Sequence, residues 1–234
     1  MFFRARIRKR LHRFLLDVSL SINEGEYVVM LGPSGAGKSM TLKIIAGIEV
    51  CSSQEITIKE REISGLPPEK REIVYLPQKD SLFPHMNVMK NILFPFRAKG
   101  EREDRALLDR VVKTFKIEAI LDRMPNQISG GEAKRVALAR AICARPRLLL
   151  MDEPLTHLDF HIRMQLIKFL KKIADEYEIT VLHVTHDPIE TYLLAQRIYL
   201  IRVGRIVAEK IAAHSMDIDN SIKKLSHFLD IPSF

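Results

Sequence analysis

The chain has 234 residues, of which 47% are hydrophobic, and this is enough to bury one sizeable core. No run of about 18 consecutive apolar residues occurs, so the sequence predicts no segment that spans a bilayer. The two cysteines, Cys51 and Cys143, lack metal-ligand spacing. They argue against a disulfide scaffold and favour a reducing compartment, with the cytosol as the default.

The formal net charge of +8 is partly concentrated at the N-terminus. There, Arg4, Arg6 and Arg8 alternate with apolar residues, which is the period of a half-buried strand with a solvated basic face. The charge alone would also fit nucleic acid, an anionic membrane surface or a polyanionic ligand. It therefore does not choose between these partners.

Strand and helix patterns alternate along most of the chain. In order they are strands at 14–22 and 27–31, a helix at 39–48, short strands at 55–59 and 73–76, a helix at 106–115, a helix ending at 144, a strand at 148–151, a helix at 162–177, a strand at 180–184, a helix at 189–195, and final segments at 197–203 and 205–210. This alternation predicts a mainly parallel sheet covered by helices. The segment 80–125, with breakers such as Pro95, predicts a separate helical lobe.

A glycine-rich segment with the pattern G-x-x-x-x-G-K-[ST] follows the second of these strands and opens a helix. It consists of Gly32, Pro33, Ser34, Gly35, Ala36, Gly37, Lys38 and Ser39. Its backbone N–H groups can surround phosphate oxygens, Lys38 adds a positive charge for the β- and γ-phosphates, and Ser39 offers a hydroxyl to Mg²⁺. The alternative is a chance glycine turn before a helix, which the correct flanks disfavour.

Two adjacent carboxylates, Asp152 and Glu153, end a buried strand. Ligands gather at the carboxyl ends of strands in open α/β sheets. We therefore expect Asp152 to hold the Mg²⁺ shell and Glu153 to orient and polarise an attacking water. Taken alone, the pair could merely begin a turn before Pro154.

With these elements in order, the chain resembles the ATP-binding subunits of ATP-binding-cassette (ABC) transporters over roughly residues 10–210. The matching elements are the phosphate loop, Gln78 as the Q-loop glutamine, Ile128–Glu132 as the signature, Asp152 and Glu153 as the acidic pair, Leu158 and Asp159 as the D-loop, and His186 as the switch histidine. The signature departs from the family by having Ile128 for leucine and Glu132 for glutamine. Neither departure changes the expected hydrogen-bond donors, which are Ser129 and the two glycines.

The resemblance implies an α/β P-loop NTPase fold, with a mainly parallel core, an N-terminal antiparallel β subdomain and an inserted helical subdomain. The single cassette, 1–234, would comprise a core at 1–79 and 126–210, the helical insertion at 80–125 and a short tail at 211–234. It would bind ATP with Mg²⁺ and hydrolyse the ATP. Lys38, Glu153 and His186 would be the catalytic residues, and Ser39, Gln78 and Asp152 would hold the metal.

The family also pairs two cassettes head to tail, so that one subunit's phosphate loop and the other's signature clamp each nucleotide. Ser129, Gly130 and Gly131 would supply hydroxyl and backbone donors to a γ-phosphate across this interface. Asp159 would lie beside the bound nucleotide. The resemblance thus implies a homodimer.

Several residues keep alternative interpretations. In isolation, Gln78 would be a solvated loop residue and His186 a capping or surface histidine. His157, His161 and His183 are interpreted as structural. The usual aromatic platform for adenine is missing from its expected window, which leaves three candidates: Leu11, His12 and Phe14.

The resemblance is to the importer branch that includes molybdate/tungstate, sulfate, polyamine and sugar systems. A chain without a membrane span would act with separate integral membrane permease subunits, at the cytoplasmic face, and indirectly with a solute-binding protein. The short length and the general similarity of the sequence favour the molybdate/tungstate type, so we expect the transported solute to be an oxyanion such as molybdate or tungstate.

A groove near Gln78 would receive a helix of the permease on an apolar surface. The candidates for this surface are Phe83, Pro84, Met86, Phe94 and Phe96. Ordinary packing of the helical lobe is the alternative for each. The rival class is a soluble ABC ATPase that acts on DNA or ribosomes; because the insertions of those proteins are missing, we expect no nucleic-acid partner.

Overall fold

The computed structural model describes residues 1–12, 14–79, 82–156 and 158–212. The strands are β1 (Phe3–Arg10), β2 (Leu15–Ile22), β3 (Tyr27–Leu31), β4 (Ser53–Ile58), β5 (Arg61–Glu62), β6 (Ile73–Leu76), β7 (Leu148–Asp152), β8 (Thr180–Thr185), β9 (Arg197–Arg202) and β10 (Arg205–Ile211). The α-helices are α1 (Lys38–Ile45), α2 (Val88–Lys99), α3 (Arg105–Thr114), α4 (Gly130–Cys143), α5 (Phe160–Glu176) and α6 (Pro188–Leu194). Most predicted elements therefore form within a few residues of their expected bounds.

The described residues place ten strands in one sheet, in the order β5-β4-β1-β2-β10-β9-β3-β8-β7-β6. The neighbours from β9 to β6 all pair in parallel, whereas β5, β4, β1 and β2 pair antiparallel. This confirms the α/β class with a mainly parallel core. It also shows that the N-terminal antiparallel strands continue the same sheet.

Both faces of the parallel strands are buried. On β3, Val28 and Met30 pack in one apolar cluster with α1, while Val29 and Leu31 pack in a second cluster on the other face. The second cluster includes residues of α2 to α5. Strands covered on both sides need apolar residues at every position, which explains the unbroken apolar run of β3.

Pro95 was predicted to separate helical stretches within the lobe. That prediction was wrong, because Pro95 lies inside α2. The helix is capped by the Asn87 side chain at its start and by Gly100, with a φ of 66°, at its end. Ile92 and Phe96 are buried on its packed face. Proline within a helix costs roughly 3 kcal/mol, and we attribute the continuity of α2 to this packing and capping.

The topology brings four connections to one edge of the sheet, because β3, β6, β7 and β8 are parallel. Their carboxyl ends lead into the glycine-rich loop, Gln78, Glu153 and His186 respectively. This edge is where ligands bind in open α/β sheets.

His157 and the predicted tail beyond residue 212 lie outside the described residues. Within the described ranges, no helix has the length and apolar character needed to cross a membrane.

Candidate active site

The glycine-rich loop joins β3 to α1 and wraps around the lysine at its end. The Lys38 ammonium is buried and donates to the carbonyl oxygens of Gly32 (2.8 Å) and Pro33 (3.0 Å). Burial lowers the pKa of Lys38, and the charges of Glu153 and Asp152 oppose that shift. The positive charge is therefore held inside the loop, where a polyphosphate would lie.

The backbone of this loop requires glycine at position 37. Gly37 has a φ of 103°, and a Cβ there would lie 2.8 Å from the Leu16 Cδ1 atom. The loop is also held from outside, because the Gly204 N–H donates to the Ala36 carbonyl at 2.9 Å. The loop conformation is thus fixed by contacts from β2 and from the β9–β10 turn.

Ser39 and Asp152 meet at the first turn of α1. The Ser39 hydroxyl donates to Asp152 Oδ1 at 2.8 Å, and the Tyr75 hydroxyl donates to Asp152 Oδ2 at 3.3 Å. Burial raises the pKa of Asp152, and these two hydrogen bonds oppose the increase. The arrangement presents closely spaced oxygen atoms in a buried setting.

Glu153 is the point on which several predicted residues converge. Its Oε2 accepts a hydrogen bond from Gln78 Nε2 at 3.0 Å, and its Oε1 lies 3.2 Å from His186 Nδ1 and 3.8 Å from Lys38 Nζ. Its φ of 47° is in the left-handed region, and its N–H donates to the Val184 carbonyl at 2.9 Å. A non-glycine residue in this region is strained. The contacts with Gln78, His186 and Lys38 hold the carboxylate in place.

The signature residues lie on a different element, the start of α4. Ser129 is the N-cap: its hydroxyl accepts from the Glu132 N–H, and the Glu132 carboxylate accepts from the Ser129 N–H at 2.8 Å. The two glycines that follow, Gly130 and Gly131, open the helix. Among the hydrogen bonds and ion pairs of the described residues, none connects Ser129, Gly130 or Gly131 to the glycine-rich loop.

Asp159 likewise lies at a helix start. It caps α5 by accepting a hydrogen bond from the Ile162 N–H at 2.9 Å. A Cβ on Gly131 would lie 4.0 Å from the Leu158 side chain, so the signature and the D-loop are neighbours within the chain. The structure thus forms two groups of predicted residues, one around Glu153 and one at the starts of α4 and α5.

A link between the signature helix and Gln78 was not predicted from the sequence. Lys134 is buried in α4, and its ammonium donates to the backbone carbonyl of Gln78 at 2.6 Å. Lysine is rarely buried in full, and no local sequence signal identifies this contact.

A surface cavity of about 890 Å³ lies beside the glycine-rich loop. Its lining includes all three adenine candidates, Leu11, His12 and Phe14, together with Met40. The Phe14 ring also packs against Gly37, where a Cβ would lie 3.4 Å from the ring. Lys9, Arg10 and Glu49 complete the lining, so the cavity combines an apolar part that suits a flat heterocycle with a charged part.

Four of the five side chains expected to form the docking surface are accessible. Phe83, Pro84, Met86 and Phe94 are at least partly exposed, whereas Phe96 is 1% exposed and belongs to the core. The prediction for Phe96 was therefore wrong, because its side chain faces the packed side of α2. Phe83 and Phe94 have ring centroids 4.5 Å apart.

Comparison with known proteins identifies the family. Residues 15–156 match the ABC transporter family. The chain belongs to this family. Within it, the chain is related to the ATP-binding subunits, which confirms the resemblance found in the sequence.

Two curated relatives illustrate the range of named substrates. The molybdate/tungstate import ATP-binding protein WtpC of Archaeoglobus fulgidus is 42% identical over 207 residues, which cover 88% of this chain and 86% of that protein. The sulfoquinovosyl glycerol transport ATP-binding protein SmoE of Agrobacterium fabrum is 41% identical over 196 residues, covering 83% of this chain. The chain spans only 55% of the length of SmoE.

A solved ABC structure is similar in fold. The ATP-binding cassette MJ0796, a dimer in a post-hydrolysis state with ADP and Pi, superposes with a TM-score of 0.79 at 28% identity. The match covers 91% of this chain and all of that one.

Proposed function

We propose that this ABC subunit is an ATPase that powers an importer. The observation that carries the proposal is the convergence on Glu153: Gln78, Lys38 and His186 all contact its carboxylate, next to the Ser39–Asp152 pair. A carboxylate held by donors on both oxygens can orient a water molecule and accept its proton. The cradle formed by the glycine-rich loop holds the phosphates in front of it.

The residues present suit Mg²⁺ as the cofactor that accompanies ATP. The Ser39 hydroxyl and Asp152 Oδ1 are 2.8 Å apart, and hard cations prefer such oxygen ligands. Ser39, Asp152 and the Gln78 amide would hold the ion. When bound, Mg²⁺ would neutralise charge on the β- and γ-phosphates.

The active form would be a head-to-tail homodimer. Ser129, Gly130 and Gly131 lie at the N-terminus of the 14-residue helix α4, which favours an anion. Among the hydrogen bonds of the described residues, none joins these three residues to Glu153. A second copy would bring its phosphate loop to this helix. MJ0796 is a dimer, which supports a homodimer for this chain.

The subunit would be peripheral, at the cytoplasmic face of the membrane, with integral membrane permease subunits as its partners and, indirectly, a solute-binding protein. Phe83, Pro84, Met86 and Phe94 would receive a permease helix. The match to WtpC covers 86% of that protein, and this supports molybdate or tungstate as the solute. The alternatives are sulfate, a polyamine or a sugar.

A soluble ATPase that binds nucleic acid is the rival to all of these importers. Copurification with a multi-span permease would distinguish an importer from that rival.

The substitution Glu153→Gln tests the proposed activity. It removes the base but keeps the shape, so we expect turnover to fall by about 10² to 10⁴-fold while ATP binding persists. With ATP present, the variant should elute as a dimer in size-exclusion chromatography with light scattering. Glu62→Gln, at an exposed position in β5, is the matched control and should behave like the wild type. ATPase activity near that of the wild type in Glu153→Gln would refute the assignment.

A further inference from the structure

A row of buried polar side chains lies behind the turn that carries His186. It consists of Tyr27 on β3, His183 and Thr185 on β8, and Glu190 on α6, and each is at most 3% exposed. Burying polar groups is costly unless they find partners. The sequence had given His183 a structural role only, and Tyr27 and Glu190 none.

These side chains form a continuous set of contacts, here called the Tyr27–Glu190 network. The Tyr27 hydroxyl is 2.9 Å from His183 Nδ1, and His183 Nε2 is 3.3 Å from Glu190 Oε2. The Thr185 hydroxyl donates to the same Oε2 at 2.8 Å and accepts the Asp187 N–H at 3.0 Å. The network therefore reaches from β3 to the backbone directly after His186.

The Glu190 carboxylate is the acceptor at the centre of the network. Burial opposes ionisation of Glu190, but the contact with His183, the Thr185 hydroxyl and the charge of Arg163 hold the pKa of this carboxyl below its usual range. An ionised carboxylate only accepts, so the Nε2 atom of His183, which faces Glu190, carries a proton. The Nε2 contact is longer than a good hydrogen bond, and among the described residues Nε2 has no better partner.

Residues of the network lie on both sides of His186 in the chain. Glu190 in the first turns of α6 contacts both His183 and Thr185 at the end of β8, so the chain on each side of His186 is tied to one carboxylate. His186 itself has a 52% exposed side chain and lies 3.2 Å from Glu153. Its position consequently depends on the backbone that flanks it.

Tyr27 extends this restraint to the phosphate loop. It begins β3, whose last residue, Leu31, leads directly into Gly32. β3 and β8 pair in parallel from Tyr27 to Leu31. The hydroxyl of Tyr27 thus joins the strand that presents the phosphate loop to the histidine behind the β8–α6 turn.

We propose that Glu190, supported by His183 and Tyr27, is a positioning residue that holds His186 against Glu153. This rests on the proposed function, in which His186 contacts the catalytic carboxylate of Glu153. The network contacts no reacting atom. It acts through the β8–α6 turn, and a solely structural role would lower stability without a selective effect on turnover.

The test uses the full chain and steady-state ATPase kinetics. Tyr27→Phe, which removes one oxygen atom, should lower kcat about threefold to tenfold and leave the KM for ATP within twofold. Glu190→Ala should lower kcat further, and Glu190→Gln should recover part of the loss because it retains an acceptor oxygen. Tyr199→Phe is the matched control, since that buried hydroxyl bonds to the Ser21 backbone on β2. Equal kcat in Tyr27→Phe and Tyr199→Phe would overturn the proposal.

A second readout separates this proposal from the proposed function. The imidazole signals of His186 in NMR spectra, identified by their loss in His186→Ala, should shift in Tyr27→Phe and Glu190→Gln but not in Tyr199→Phe. If His186→Ala hydrolyses ATP like the wild type, the role of His186 fails, yet these shifts still decide whether the network positions it. Unchanged His186 signals in both network variants would refute the positioning role. If Glu190→Ala does not fold, Tyr27→Phe alone gives the decisive comparison.

Discussion

The side-chain amide of Gln78 donates to the carboxylate of Glu153, with 3.0 Å between Nε2 and Oε2. Gln78 follows β6, and its backbone carbonyl is also held by Lys134 of the signature helix. One residue therefore contacts both the proposed catalytic carboxylate and the helix that would face a second subunit. A movement of Gln78 would therefore change its contacts with both Glu153 and Lys134.

Removing the Gln78 amide should slow turnover more than it weakens nucleotide binding. In Gln78→Ala, Glu153 Oε2 loses its donor, and we expect kcat to fall about tenfold, since a hydrogen bond to a charged group contributes roughly 1.5 to 3 kcal/mol. Steady-state ATPase assays and binding of a fluorescent ATP analogue measure the two effects. Gln165→Ala, which removes a glutamine that contacts His161 on the surface of α5, should leave both unchanged. An equal loss of binding and turnover would contradict this role.

A bulky cation at Ser129 should block dimerisation without preventing ATP binding. Ser129→Arg places a long side chain where a second copy's phosphate loop would dock, so ATP should no longer produce a dimer of Glu153→Gln in light scattering. Hydrolysis by the otherwise wild-type chain should be lost. The expected site on the monomer, around Lys38, is left intact.

The control for Ser129 must account for its capping role. Ser129→Ala loses the N-cap of α4 and should cost about 1 kcal/mol of stability. It also loses the expected hydroxyl donor, but it adds no bulk and keeps the N–H groups of Gly130 and Gly131, so it should still form the ATP-dependent dimer. If Ser129→Ala and Ser129→Arg were equally impaired, helix capping rather than the interface would explain the result.

The sequence predicted much of the sheet edge that forms the site because local patterns report on it directly. The apolar run of β3 and the glycine pattern after it are contiguous in sequence, and so are β7 and Asp152. Parallel pairing then brings the ends of these strands together. Gln78, Glu153 and His186 lie together because each follows the carboxyl end of one of three parallel neighbouring strands.

Contacts between distant residues could not be predicted in this way. Nothing local to Lys134 shows that its ammonium reaches Gln78, and Tyr27 is 156 positions from His183. Proline normally interrupts a helix, yet Pro95 lies within α2, whose neighbouring residues are packed in the core. Tertiary burial decides each of these cases.

Loss of the Tyr75 hydroxyl should raise the Mg²⁺ concentration needed for hydrolysis. The hydroxyl donates to Asp152 Oδ2, so Tyr75→Phe frees one end of a carboxylate expected to hold the metal. We expect the half-saturating Mg²⁺ concentration to rise about threefold to tenfold, the equivalent of one hydrogen bond, with kcat at saturating Mg²⁺ little changed. ATPase rates across a Mg²⁺ series measure this. Tyr177→Phe, whose hydroxyl contacts Arg110 instead, is the control; equal Mg²⁺ dependence in the two variants would exclude the role of Tyr75.

Arg71 should be a major contributor to stability, although it touches none of the proposed catalytic residues. Its buried guanidinium donates to four backbone carbonyls, two of them, Ile44 and Ile45, at the end of the helix that follows the phosphate loop. Arg71→Met would leave these acceptors without their donor, and we expect the free energy of unfolding to fall by about 3 kcal/mol. Urea titrations followed by circular dichroism measure this change. Arg105→Met, at an exposed position of α3, should cost less than about 0.5 kcal/mol. Similar unfolding midpoints for the two variants would show that the guanidinium does not hold the end of α1.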